Sequence, residues 1–266
     1  MVESYQRNDR NMTEQSESPA PGPRHKSIFL LPNLFTTAAM FAGFYAIIAA
    51  QTGRFSAAAI AIFIAMILDT VDGRVARMTN TQTEFGAEYD SLADLISFGL
   101  APALVMYQWS LIFLNDAGPG WAKLGWLAAF FYTAAAAMRL ARFNVPSADE
   151  DKRYFTGLPS PTAAALMIGM VWIWHDTGYS GEVFRIPAFL LTIIVGGLMV
   201  SNIKYLTFKD IDYKSRVPFL GILLALVALI LIAFDPPKVL FTGFLIYTLS
   251  GPVAVLMKLR KTRKQQ

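Results

Sequence analysis

Four aspartates carry the chemistry open to this chain. They stand at positions 69, 72, 90 and 94, within DTVDGRVARMTNTQTEFGAEYDSLAD. Asp69 and Asp72 are three residues apart, and Asp90 and Asp94 four, so on helices each pair shares a face. Along the axis the first pair would be offset by about 4.5 Å. The polar run Met78 to Glu84 can turn the chain and bring the ends of two neighbouring helices together. Carboxylates gathered in this way repel one another; some take up protons, or the site opens, unless a cation neutralises them. Magnesium and manganese are hard divalent ions that prefer carboxylate oxygens. Two such ions shared among four aspartates would keep positions open for phosphate oxygens. Gly73 and Gly86 leave space beside the acids for a ligand or a neighbouring helix. One aspartate at a membrane helix end is ordinarily an interface residue or a cap, but four in this spacing point to function.

The elements that must position these acids are membrane helices. Of 266 residues, 55% are hydrophobic and 16% charged, where a soluble domain carries about 25% charged residues. Apolar stretches long enough to cross a bilayer are predicted at about 31–50, 56–77, 88–114, 123–142, 161–177, 186–203, 217–234 and 239–257. The predicted fold class is therefore all-α: a polytopic integral membrane helical bundle of about eight spans. With eight crossings, all but four of the 23 Lys and Arg fall on one side, the exceptions being Arg54, Lys123, Arg185 and Lys238. That bias places both termini in the cytoplasm. It also accounts for the +4 net charge without nucleic acid as a partner. Residues 1–28 read as a disordered polar cytoplasmic tail lacking a secretory signal, 29–258 as the membrane domain and 259–266 as a basic cytoplasmic tail. The absence of cysteine excludes disulfides, thiolate nucleophiles and cysteine-held metals; two histidines, His25 and His175, exclude a histidine-rich site.

The acidic segment resembles the signature of the CDP-alcohol phosphatidyltransferase family, D-x2-D-G-x2-A-R-x8-G-x3-D-x3-D. Asp69, Asp72, Gly73, Ala76, Arg77, Gly86, Asp90 and Asp94 meet it without a gap. The resemblance implies an integral membrane enzyme binding two divalent cations per site, Mg or Mn. Asp69, Asp72 and Asp90 would be ligands, and Asp94 the general base, itself also near a metal. Gly73, Ala76 and Gly86 would line a cytidine pocket with Arg77 close by. Further stretches resemble a serine-accepting bacterial branch of the family. They are Leu31-Pro32-Asn33 with Thr36, Tyr89 to Asp94, Ser97-Phe98-Gly99, Ala101-Pro102-Ala103, Arg139 to Asn144, and Gly157 to Pro161. This branch implies CDP-diacylglycerol and L-serine as substrates, CMP as a product, and a homodimer. It also implies a multi-pass place in the inner (cytoplasmic) membrane, with the site facing the cytoplasm.

Outside the signature the residues keep two readings each. Arg139 and Arg142, three apart at the end of the fourth span, suit a serine carboxylate or a lipid phosphate, or else anchor the helix to anionic headgroups. Lys209, Lys214 and Arg216 face the same choice. Asn33 and Thr36 would bind the nucleotide or a phosphate, or cap the first span. Ser91 and Ser97 lie near the acids, or satisfy backbone carbonyls. The five tryptophans read as interface anchors. Glycerol 3-phosphate, inositol phosphate and choline are rival acceptors. A cation-coupled transporter would place its acids near the bilayer midplane and repeat the pattern in a second half, and no such repeat is present.

Overall fold

Small residues decide how the first two helices meet. The computed structural model describes residues 30–79, 83–145, 154–206 and 219–263; the predicted N-terminal tail and Lys209, Lys214 and Arg216 lie outside them. Helix α1 (Leu30–Gln51) and helix α2 (Phe55–Thr79) form a hairpin. It turns at Gly53, whose φ of 72° favours glycine. Buried Ala39, Ala42, Ala46 and Ala49 on α1 and Ala58, Ala61 and Ala65 on α2 let the backbones approach closely.

Next in the chain come α3 (Glu84–Asp94), a wide helical turn over Leu95–Leu100, and α4 (Ala101–Trp109). A 3-10 stretch (Leu111–Ala117) leads into α5 (Pro119–Asn144). Then come β1 (Tyr154–Thr156), α6 (Ser160–Asp176), α7 (Arg185–Val200), β2 (Lys204–Leu206), α8 (Phe219–Phe234) and α9 (Pro236–Arg263). Helix α6 is buried from Ser160 to Trp172 except at Pro161, which makes it the centre of the bundle. Helix α8 exposes Leu226, Leu229, Ile230 and Leu231, as a lipid-facing helix does.

Each of the eight predicted stretches is helical over most of its length. Among the described residues, five runs are long and apolar enough to cross a membrane: Pro32–Gln51, Phe55–Thr79, Glu84–Trp109, Gly120–Asn144 and Pro236–Met257. The other three, α6, α7 and α8, have 17, 16 and 16 residues. The described residues are mostly helical, as expected, with one short ribbon added. Strands β1 and β2 pair antiparallel, with Phe155 opposite Tyr205. Three-residue strands leave no periodicity to read. Their pairing joins segments about 50 residues apart, a contact that helical pattern reading does not capture. The ribbon is locked by Gly157, with φ 80°, whose N–H donates to the Ile203 carbonyl at 2.8 Å. A Cβ there would lie 2.2 Å from the Met199 carbonyl oxygen, so the close approach requires glycine.

Candidate active site

The acids converge because two helix ends are set side by side against α1. Asp69 and Asp72 stand on the last turns of α2. Helix α3 starts at a cap, where the Thr83 hydroxyl accepts from the Gly86 N–H at 3.0 Å. Asp90 and Asp94 lie on its second and third turns. One carboxylate oxygen from each of Asp69, Asp72 and Asp90 lies within 4.8 Å of the others. The carboxyl of Asp94 comes into hydrogen-bonding reach of that of Asp69. Two bare carboxylates tolerate such closeness only with a proton or a cation between them.

The surroundings fit a hard cation. Asp72 is 4% exposed, and its Oδ2 accepts from the Thr36 hydroxyl at 2.7 Å, a charge-assisted bond from α1. Asp90 Oδ1 is buried with no hydrogen-bond partner among the described residues. Nor does any of the four acids form a salt bridge to Lys or Arg there. Clustered carboxylates with an unpaired buried oxygen suit a divalent ion with oxygen ligands.

Beside the acids opens a cleft of about 370 Å³. Asn33, Thr36, Gly73, Ala76 and Gly86 line it together with Asp72 and Asp90. At Gly73 an added Cβ would meet nothing within 4 Å, so its backbone faces open space. At Gly86 it would meet Thr83 Oγ1 at 3.0 Å and Asn33 Oδ1 at 3.5 Å, so the cap and the cleft wall leave room for little else.

The remaining predicted residues are not among those lining the cleft. Arg77 is exposed on the last turn of α2. Ser91 exchanges hydrogen bonds with the Asn144 side chain, tying α3 to the end of α5. Arg142 donates to Asn202 at 3.1 Å. Arg139 donates from Nη1 to the buried Ser160 hydroxyl at 3.1 Å, while its Nε is buried without a partner among the described residues. Its guanidinium stands within electrostatic reach of Asp94, Tyr247 and Tyr132. Ser97 spends its hydroxyl on the Ala39 carbonyl at 3.1 Å. Asn144, Ser160, Tyr132 and Tyr247 also belong to this end, although no spacing in the sequence marks them for it. Asn144 and Ser160 do fall inside stretches that carry the family resemblance.

Residues 29–256 match the CDP-alcohol phosphatidyltransferase family. A CDP-diacylglycerol--serine O-phosphatidyltransferase of Helicobacter pylori is 35% identical over 236 residues, covering 88% of this chain and 94% of the relative. Its namesake in Mycobacterium tuberculosis is 33% identical over 214 residues, 78% of this chain and 71% of the relative. One from Saccharomyces cerevisiae is 37% identical over 146 residues, 50% of each chain. The chain belongs to the CDP-alcohol phosphatidyltransferase family.

Proposed function

We propose that this protein transfers the phosphatidyl group of CDP-diacylglycerol to the hydroxyl of L-serine, releasing CMP and leaving phosphatidylserine in the bilayer. The observation that carries the reading is the meeting of three carboxylates from α2 and α3 beside a cleft floored by Gly73 and Gly86. Relatives named for this reaction match the chain over most of its length.

Asp69, Asp72, Asp90 and Asp94 would hold divalent cations, Mg or Mn and two per site, whose charge offsets that of the pyrophosphate and of the departing CMP. Asp94 takes the proton of the serine hydroxyl as that oxygen bonds to the phosphorus bearing diacylglycerol. The bond from this phosphorus to the oxygen of CMP breaks, and no covalent enzyme intermediate is needed. Gly73, Ala76 and Gly86 give the cytidine room, with Arg77 at the cleft's edge and Asn33 donating to the nucleotide. Thr36 serves through Asp72, to which its hydroxyl is already bonded. Arg139 takes the serine carboxylate with its unpartnered Nε, close to the base Asp94. Arg142 faces anionic headgroups, and Ser91 keeps α3 against α5.

The same reading gives eight crossings of the inner membrane with both termini in the cytoplasm, supported by the one-sided Lys and Arg. The acids then sit at the cytoplasmic edge, where acyl chains stay in lipid and the nucleotide in water. The homodimer is carried by the family resemblance.

The test is CMP release from CDP-diacylglycerol by the detergent-purified chain with Mg or Mn. Serine, glycerol 3-phosphate, inositol phosphate and choline are compared as acceptors, with EDTA and Asp94→Asn as controls. Release that requires serine and metal and disappears in the variant is the expected result. Release with another acceptor would move the specificity; none with any acceptor, from folded protein, would sink the reading.

A further inference from the structure

Asp90 and Asp94 are useful only if α3 is held still, and an 11-residue helix does not hold itself. The joint between α3 and α4 supplies the restraint. Pro102 has no N–H to offer the Phe98 carbonyl four residues earlier, and its ring crowds that carbonyl. The chain widens there: over Leu95–Leu100 the bonds run five residues back, as from the Ala101 N–H to the Ile96 carbonyl. The Phe98 carbonyl, left without its usual donor, accepts instead from the Tyr132 hydroxyl of α5 at 3.0 Å. Tyr132 and Phe98 are both fully buried. On the opposite flank α1 touches the joint almost backbone to backbone. A Cβ on Gly43 would lie 2.8 Å from Ser97 Cα, and Ser97 donates to the Ala39 carbonyl. The clamped segment begins at the residue after Asp94.

We propose that Tyr132 is a positioning residue of the acidic site. By filling the carbonyl that Pro102 leaves open, it fixes the wide turn that directly follows α3, and through that turn the helix carrying Asp90 and Asp94. The inference rests on the function proposed above. Tyr132 is not among the cleft-lining residues. Two turns further along α5 stands Arg139, whose guanidinium lies within electrostatic reach of Asp94.

The molecule contains its own control. Pro252 stands inside α9, which runs through it without a widened turn, and the Thr248 carbonyl four residues before it likewise accepts from a tyrosine, the Tyr205 hydroxyl at 3.3 Å. That brace lies on α9, which bears none of the four acids.

The test compares Tyr132→Phe, Pro102→Ala, their double variant and Tyr205→Phe. Mn2+ binding is measured by calorimetry on detergent-purified protein, and kcat and KM by CMP release. Tyr132→Phe is expected to weaken Mn2+ binding about tenfold and lower kcat with KM for CDP-diacylglycerol unchanged. With Pro102→Ala restoring an N–H, the same change should cost less than about twofold, and Tyr205→Phe should leave Mn2+ affinity within about twofold of wild type. Wild-type affinity in Tyr132→Phe would overturn the proposal. So would an undiminished cost in the Pro102→Ala background, or an equal loss in Tyr205→Phe. Wild-type protein that binds neither Mn2+ nor Mg2+ would instead sink the function reading.

Discussion

The acid-bearing end and helix α8 are made by the same chain in opposite ways. At the acid end buried polar groups are paired across elements, Thr36 with Asp72 at 2.7 Å, Ser97 with the Ala39 carbonyl and Tyr132 with the Phe98 carbonyl, while Asp90 Oδ1 and Arg139 Nε stay without a partner among the described residues. Thr37 and Tyr89 share a further hydrogen bond at 2.8 Å. The described part of α8, FLGILLALVALILIAF, has no polar side chain to match, and Leu229 and Ile230 are 64% and 58% exposed. In lipid, apolar exposure costs little, whereas an unsatisfied buried polar group costs several kcal/mol. Ordered chemistry therefore concentrates where polar groups are forced together, and α8 is free to vary as long as it stays apolar.

The largest contrast should come from emptying the acid end. Asp90→Ala removes the carboxylate whose Oδ1 lacks a partner among the described residues, and is expected to abolish Mn2+ binding and cut CMP release by on the order of a thousandfold. The paired change Leu229→Ala and Ile230→Ala in α8 should leave kcat within about twofold, because neither side chain is buried on folding. Equal losses in the two would erase the distinction between these regions.

Next in size is the cleft. Gly73→Ala adds a methyl where nothing lies within 4 Å and should be nearly silent. Gly73→Leu projects a full side chain into a space of about 370 Å³ and should lower kcat/KM for CDP-diacylglycerol about a hundredfold, with Mn2+ binding retained. If KM for the liponucleotide stays unchanged in the Leu variant, the cleft is not where the nucleotide sits.

Sequence range decides how much of these two regions is legible without a structure. The four acids and their two glycines fall within 26 residues of sequence, so helix spacing alone predicts a carboxylate cluster. Apolar runs likewise mark the membrane helices, although α3, EFGAEYDSLAD, is marked by its acids rather than by an apolar run. The matching of Thr36 to Asp72, Tyr132 to Phe98 and Arg139 to Ser160 joins residues 36, 34 and 21 positions apart. No local pattern specifies such pairs. Pro102 and Pro252 are visible as interruptions of apolar runs, but which hydroxyl answers each depends on how α5 and the ribbon pack. Arg139 and Arg142 look equivalent at three-residue spacing, yet one is drawn to the buried Ser160 and the other to Asn202 near the surface.

Thr36→Val sharpens the comparison at the scale of one hydrogen bond. The substitution keeps the shape of the side chain and leaves Asp72 Oδ2 buried without its donor. A lost bond to a buried charge is worth about 1–3 kcal/mol, so Mn2+ affinity should fall about tenfold or somewhat more. Thr36→Ser, which retains the hydroxyl, should recover most of that loss. Failure of serine to rescue would mean that the methyl group, not the hydroxyl, is what α1 contributes.

The smallest effect belongs to the turn between α8 and α9. Here Asp235 caps α9, accepting the Lys238 N–H at 3.2 Å and pairing with the Lys238 ammonium at 2.6 Å. The pair resembles the acid end in chemistry, but it is open to water, and exposed pairs contribute little and are screened by salt. The hydrogen bond from Lys238 holds the Asp235 carboxyl below its ordinary value. A lowered carboxylate stabilises the fold above its ordinary titration range and loses that contribution as pH falls through the lowered value. Asp235→Asn should therefore leave kcat and, at physiological salt, the melting temperature unchanged. At low salt wild type should melt slightly above the variant at neutral pH, and the gap should close on acidification. A gap that widened as pH fell would reverse the sign, and a large gap at high salt would place Asp235 with the matched acids of α2 and α3 rather than with the solvated surface.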